Sequence, residues 1–256
     1  MTIELDNVYS LLLIFLRTET VIMLVPVLGG ASIPVQARVG LGMLISVVLL
    51  PVTPAASLVG AAPIQIVLAM LYELFVGLVM GMAMLGVVSS ITFASETITN
   101  EIGLVRAQGF NPMDASGGEG GGINALLFYF AIVLMLVMGI HRQIILAIAQ
   151  SFQALPAGCL NTSGMSLDVM LYVTTRIFIV GILMSAPFIA VNFLINTTFS
   201  LLGKIAPKMN VFVISFSIRI VAGLAVLATT GTLLAHYMEV EFSEIPGRML
   251  ELVLGR

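Results

Sequence analysis

Apolar residues run along this chain in stretches too long and too uniform for one face of a soluble helix. Charge-free windows extend over Val39–Tyr72, Leu74–Ser95, Gly120–Ile140, Gln143–Leu167 and Ile177–Gly203. As helices, each is long enough to cross about 30 Å of hydrocarbon. Shorter apolar stretches surround Arg17 and Arg219. Helix punctuation divides the windows: Pro26, Gly29-Gly30 and Pro34 close the first segment, while Pro51, Pro54, Gly60 and Pro63 interrupt the second. The pattern predicts an all-α, multi-pass membrane-type domain over 1–256. Six long hydrophobic helices are expected, over about 8–28, 36–50, 64–95, 123–153, 168–203 and 209–236.

Beyond Tyr237 the pattern changes. Phe242, Ile245, Met249 and Val253 recur at helical spacing, with the acids of Glu239, Glu241, Glu244 and Glu251 expected on the other face. A short amphipathic C-terminal helix over 237–256 is predicted, broken near Pro246 and lying at an interface or on a partner.

Composition sharpens this picture. The 256 residues are 59% hydrophobic and 9% charged, against about 25% charged in soluble domains, and mean hydropathy is +1.15. Such a chain cannot build a water-facing surface, so lipid, partner subunits or both must cover it. Net charge is −3 and the ten Lys and Arg are scattered, leaving no basic face for phosphates, so nucleic acid is not an expected partner. Cys159 has no second thiol and is expected to be a small buried residue. The opening Met1-Thr-Ile-Glu-Leu-Asp6 is acidic where a secretory signal is basic, so the first apolar stretch is expected to remain. If all six segments cross, Arg38, Arg106, Lys204 and Lys208 fall on one side against Arg248 and Arg256, which favours termini outside.

Several charges fall where lipid would be. Arg17 and Glu19 sit inside the first segment, Glu73 inside the third, Arg176 near the start of the fifth and Arg219 inside the sixth. Charges at that depth cost a few kcal/mol and should face protein or water. Arg17 either pairs with a nearby carboxylate or lines a pathway; Arg176 is close enough to a helix end to snorkel. With Glu96, these form the set of candidate buried charges for packing or channel lining: Arg17, Glu73, Glu96, Arg176 and Arg219. Gly77 and Gly81 have GxxxG spacing beside Met80, Met82 and Met84. They predict close helix packing within the chain or an interface with a neighbouring subunit.

The long polar interruption from Glu96 to Gly122 contains Gly109-Phe-Asn-Pro-Met-Asp-Ala-Ser-Gly-Gly-Glu-Gly-Gly-Gly122. Asn111-Pro112 breaks a helix, and five glycines in the last six residues oppose regular structure. A loop of this length is either a solvated connector or a functional element. Phe110 and Met113 give it an apolar tip suited to a gate or plug.

Catalytic patterns are missing. No GK[ST] closes the glycine run, His141 and His236 stand apart without an HExxH, no acid or thiol cluster has metal-ligand spacing, and no GxSxG occurs. No catalytic residue, metal site or cofactor is predicted, and the chain is read as a non-enzyme.

Taken in order, several phrases resemble one family. They are Phe15-Leu-Arg17 followed by Pro26, Ile33-Pro-Val-Gln-Ala-Arg38-Val-Gly-Leu-Gly42, and Glu73-Leu-Phe-Val-Gly77 with Gly81. Glu96, Glu101-Ile-Gly-Leu104, Gly139-Ile-His141, Ser151-Phe-Gln-Ala-Leu-Pro156-Ala-Gly158, Ala186-Pro187 and Ala206-Pro-Lys-Met-Asn-Val-Phe-Val-Ile214 follow. Together they resemble the FliR-type flagellar export-gate proteins of type III secretion over nearly the whole chain. The resemblance implies long kinked helices, with a FliP-like part over about 1–160 and a FliQ-like helical hairpin over about 165–240. It implies a hetero-oligomer with FliP-like and FliQ-like subunits and an FlhB-like switch protein. The place implied is the bacterial inner membrane, in the flagellar basal body and largely displaced toward the periplasm. It also implies a loop that closes the export channel, matching Phe110, Asn111, Pro112 and Met113 here. The family more often has an aromatic in place of Arg106 and Asp-Pro in place of Asn111-Pro112, and the glycine run is peculiar to this chain.

The function expected is therefore a structural and gating subunit of a flagellar protein export channel, in contact with membrane lipid and exported unfolded proteins. The alternative is a multi-pass secondary transporter of a small solute, which also needs kinked helices and charges at depth.

Overall fold

A computed structural model of the chain describes residues 2–29, 33–54, 60–103, 122–159, 167–206 and 210–254. The described residues form helices and connecting turns, with no strand. In chain order the helices are α1 (Thr2–Leu24), α2 (Pro26–Gly29), α3 (Val35–Leu49), α4 (Pro63–Ile102), α5 (Gly122–Val137), α6 (Ile140–Ala154), α7 (Leu167–Ile205) and α8 (Val211–Leu254). Proline sets several starts. Pro26 and Pro63 are first residues of α2 and α4, where a missing N–H costs nothing, and Pro34 precedes α3 in extended conformation. Four helical stretches are long and apolar enough to cross a membrane: Asp6–Leu24, Pro63–Ile102, Met170–Ile205 and Val213–Leu254.

Three elements differ from the hydropathy pattern, each for a local reason. The helix expected over 123–153 is two, α5 and α6, meeting at a 63° bend. Gly139 makes the turn with φ +69°, a left-handed conformation that needs no Cβ. Its N–H bonds Leu136 C=O at 3.1 Å. Helix α4 outruns its expected end near Ser95 and continues to Ile102. Ile98 and Ile102 remain buried there, and the Thr97 and Thr99 hydroxyls donate to the C=O of Phe93 and Ser95 at 2.8 and 2.7 Å. Their polarity is absorbed by the helix itself.

The third difference concerns the chain beyond Tyr237. It is no separate short helix but the end of α8, which passes through Pro246 unbroken. Proline removes one backbone hydrogen bond and crowds the preceding turn. Here Arg248 braces that turn, donating from Nη1 to Glu241 Oε2 at 2.8 Å and from Nη2 to Glu244. Phe242, Ile245, Met249 and Val253, the apolar stripe read from sequence, are all at most 2% exposed. The stripe packs inside this chain, where an interface or partner surface was anticipated. Cys159, expected to be buried, is exposed in the turn after α6, its N–H bonded to Pro156 C=O at 3.2 Å.

The chain forms two compact units. One comprises Met1–Val88, Met135–Thr175 and Glu241–Arg256. Its core gathers Leu13, Ile14 and Val21 of α1, Val76, Met80 and Met84 of α4, Ile148 and Phe152 of α6, and the α8 stripe. The other comprises Ser89–Leu134 and Arg176–Val240. It buries Ile91, Ile98 and Ile102 of α4, Leu127 and Ala131 of α5, and Val180, Met184 and Phe188 of α7. Within it Phe93 and Phe178 meet edge to face, ring centroids 5.8 Å apart.

Glu241 is 3% exposed and Arg248 5%. Arg248→Ala would remove a buried ion pair of that carboxylate and the tie to Glu244, so a loss of about 3 kcal/mol is expected. Thermal melting of the solubilised protein should show a large fall; a change within error would mean the brace contributes nothing.

Candidate functional site

The first unit is organised around a charge with no access to water. Along α1 the buried positions Leu13, Ile14, Arg17, Thr18, Val21 and Ile22 form one stripe at helical spacing. Arg17 therefore points into the core, at 0% exposure. Glu73 holds the equivalent position in the stripe of α4, between Tyr72 and Val76, also at 0%. Arg17 Nε donates to Glu73 Oε2 at 2.6 Å.

Neither charge relies on the other alone. Arg17 Nη1 donates to Ser151 Oγ at 3.1 Å and to Leu155 C=O at 3.2 Å. Leu155 caps α6, so Arg17 satisfies one of the carbonyls that a helix end leaves without a partner. The guanidinium carbon stands 4.0 Å from the centroid of the Phe152 ring, a cation–π contact in a desolvated site. Glu73 Oε1 accepts from the Gly158 N–H at 3.0 Å. Gly158 presents that N–H from a left-handed conformation, φ +80°. One arginine thus ties together α1, α4, the end of α6 and the turn that follows.

Gly77 and Gly81 make this possible. A Cβ on Gly77 would lie 2.7 Å from Arg17 C=O and 2.9 Å from Thr20 Cβ, and one on Gly81 would overlap the Leu24 side chain. Both glycines face α1 of the same chain, and their missing side chains let the two backbones approach. Nearby, Glu19 is 7% exposed and lies against Gly42 of α3, where a Cβ would overlap its carboxylate.

The remaining charges from the sequence reading lie elsewhere. Arg176, near the start of α7, is half-buried. Arg219 of α8 is half-buried and donates from Nη2 to Asn196 Oδ1 of α7 at 2.6 Å. Glu96, expected among the buried charges, is exposed: it falls between Ser95 and Ile98, whose side chains take the buried face of α4. Phe110, Asn111, Pro112 and Met113 lie outside the described residues. Ser151, Phe152, Leu155 and Gly158 were not singled out as site residues, because one loop carbonyl, one amide and one ring carry no sequence pattern of their own. Among the described residues no three His, Cys, Asp or Glu side chains gather as a metal site.

Residues 8–245 match the family described as bacterial export proteins, family 1. The chain is similar to the flagellar biosynthetic protein FliR of Escherichia coli (strain K12), with 25% identity over 238 residues, covering 93% of this chain and 90% of that one. It is 28% identical to the FliR of Pectobacterium carotovorum subsp. carotovorum over 237 residues, covering 90% and 87%. With the FliR of Caulobacter vibrioides it shares 25% identity over 227 residues, covering 87% and 88%.

A packing role and a conducting role for the Arg17–Glu73 pair have different consequences. Glu73→Ala should destabilise the protein by about 3–5 kcal/mol by leaving a buried cation unpaired. The apolar pair Arg17→Met with Glu73→Leu should recover most of that loss. Export by the double variant, measured beside its melting temperature, decides the role: stable but inactive protein would make the charges part of the transport path.

Proposed function

The chain belongs to the bacterial export proteins, family 1, and from that premise we propose that it is a structural and gating subunit of the flagellar protein export channel in the inner membrane. It does so as a structural part of the export apparatus rather than as an enzyme. The observation that carries the reading is a mismatch between helix length, bilayer thickness and burial. Helices α4, α7 and α8 have 40, 39 and 44 residues. At 1.5 Å per residue each is about 60 Å long, twice the hydrocarbon core. Yet only 28% of the most apolar window of α7 and 6% of that of α8 is buried within the chain.

Lipid can cover half of such a helix at most. The rest of its apolar surface needs protein neighbours, as large side chains such as Phe193, Leu194, Ile205 and Val221 do here, each more than 60% exposed. This supports a hetero-oligomer in which FliP-like and FliQ-like subunits cover those faces and an FlhB-like protein packs on the assembly, part of it displaced toward the periplasm. In that reading, residues of about 1–160 act as a FliP-like part and about 165–240 as a FliQ-like hairpin. Unfolded export substrates pass through the channel, and the segment around Phe110, Asn111, Pro112 and Met113 closes it at rest by apolar contact.

The bent α5–α6 pair is the observation that favours the alternative, a secondary transporter with broken helices at its binding site. The family match weighs against it.

Two measurements test the proposal. A tagged chain drawn from gently solubilised membranes should bring down FliP-like and FliQ-like proteins in fixed proportion; a lone or homodimeric chain would sink the reading. Replacing both Phe110 and Met113 with Gly should raise resting ion leakage several-fold with the complex still assembled, and unchanged leakage would remove the gating role.

A further inference from the structure

One buried charge of the first unit is left incomplete. Glu19 of α1 is 7% exposed, and neither of its carboxylate oxygens has a hydrogen-bond partner among the described residues. It points away from the Arg17–Glu73 pair, because residues two apart lie on nearly opposite sides of a helix. Its carboxylate rests on the backbone of α3 at Gly42, in the space a Cβ there would take, with Phe15 Cε2 3.5 Å from the same point.

The donors around Glu19 are used elsewhere. Thr20 donates to Leu16 C=O at 2.7 Å, and Ser46, one turn beyond Gly42, donates to Gly42 C=O at 2.6 Å. Arg38, one turn before Gly42, gives Nη1 to Gly29 C=O at 3.0 Å and Nη2 to Ile33 C=O at 3.2 Å, and its Nε makes no hydrogen bond. The field of Arg38 reaches Glu19, yet no hydrogen bond joins the two.

The same carboxylate stands within an uncovered apolar face. On α1, Leu12 and Met23 fall on its stripe, seven residues before it and four after; on α3, Val39 and Met43 flank Gly42. Each of these four side chains is more than a third exposed. Apolar side chains around a desolvated charge have the anatomy of a binding hot spot. Lipid tails cannot complete it, since they hold no donor and a charge toward hydrocarbon is unfavourable. A Lys or Arg carried on an apolar helix supplies the donors and the counter-charge, and its flanking residues cover the apolar rim.

We propose that the face formed by α1 and α3 around Glu19 docks a helix of a neighbouring subunit, which sets a Lys or Arg against the Glu19 carboxylate. The inference rests on the hetero-oligomer reading above and adds the surface and the chemistry of one contact. Glu73 completes a charge pair inside this chain, and Glu19 completes one between subunits.

The test uses the assembled complex in native membranes, with the photocrosslinker p-benzoyl-phenylalanine in place of Met43 on this face or of Phe193 on α7. The probe at position 43 should join a neighbouring subunit on an apolar helical segment that carries a Lys or Arg, read by mass spectrometry of the crosslinked peptide. Glu19→Gln keeps the shape and removes the charge; it should lower that crosslink several-fold and leave the one at position 193 unchanged. Glu19→Lys should abolish it, and exchange of the identified cation for Glu should bring it back. If position 43 crosslinks no protein while position 193 does, the proposal is overturned and the hetero-oligomer stands. If neither does, both fall. A crosslink at position 43 that Glu19→Gln leaves at full strength, or a charge exchange without rescue, removes the carboxylate as the anchor and overturns the proposal. Loss of both crosslinks in Glu19→Gln assigns Glu19 to folding and overturns it as well.

Discussion

The bond between Arg17 and Glu73 constrains everything around it, because a guanidinium and a carboxylate with no exposure to water are each intolerable alone. Desolvating two such charges costs several kcal/mol apiece, and their mutual attraction offsets this only when further hydrogen bonds complete both groups. The surrounding structure supplies most of those bonds from distant parts of the chain, with Arg17 Nη2 left without a hydrogen-bond partner among the described residues. Ser151 and the Leu155 carbonyl serve the arginine, the Gly158 amide serves the glutamate, and Phe152 covers the guanidinium face. Gly77 brings α4 close enough for the pair to meet. The turn after α6 presents that amide with Gly158 in a left-handed conformation, φ +80°.

The same chain is strict inside and unfinished outside. The Pro63–Ile102 helix is 61% buried across its most apolar window, whereas the window of Val213–Leu254 is 6% buried. Such uncovered apolar surface must be met by lipid, by partner subunits or by both. Family membership gives the chain a role in the export apparatus with other export proteins, and under the proposal above helices of about 60 Å with exposed apolar flanks are covered by those neighbours. The internal charge pair and the arginine brace near Pro246 hold its own parts together.

Much of the architecture was legible in the sequence because lipid-scale apolar windows are among the strongest signals a chain can carry. The proline and glycine punctuation located most helix starts. Where the reading failed, a weak local signal met a strong tertiary one. Gly139 looked like one more glycine in an apolar run, yet its backbone turns the chain. Pro246 looked like a break, yet Arg248 and the buried Phe242, Ile245 and Met249 carry the helix past it. Arg17 and Glu73 stood out as charges at depth, but nothing in their spacing revealed that Ser151, Leu155 and Gly158 would complete them. Glu96 was read as a buried charge just past the expected helix end near Ser95; α4 continues past it, and its place on the helix surface puts it outside.

The unit that holds the Arg17–Glu73 pair is built from Met1–Val88, Met135–Thr175 and Glu241–Arg256. These segments leave the ribosome at widely separated times, at about 5–20 residues per second. Arg17 emerges well before Glu73, longer still before Ser151 and Leu155, and the α8 stripe that seals the core follows only after all of the other unit has been made. For several seconds the nascent chain must keep an arginine in a marginally apolar helix without its counter-charge. The first helix is thus a poor candidate for early, irreversible commitment to the bilayer, and the order of synthesis obliges this unit to close last although it starts first.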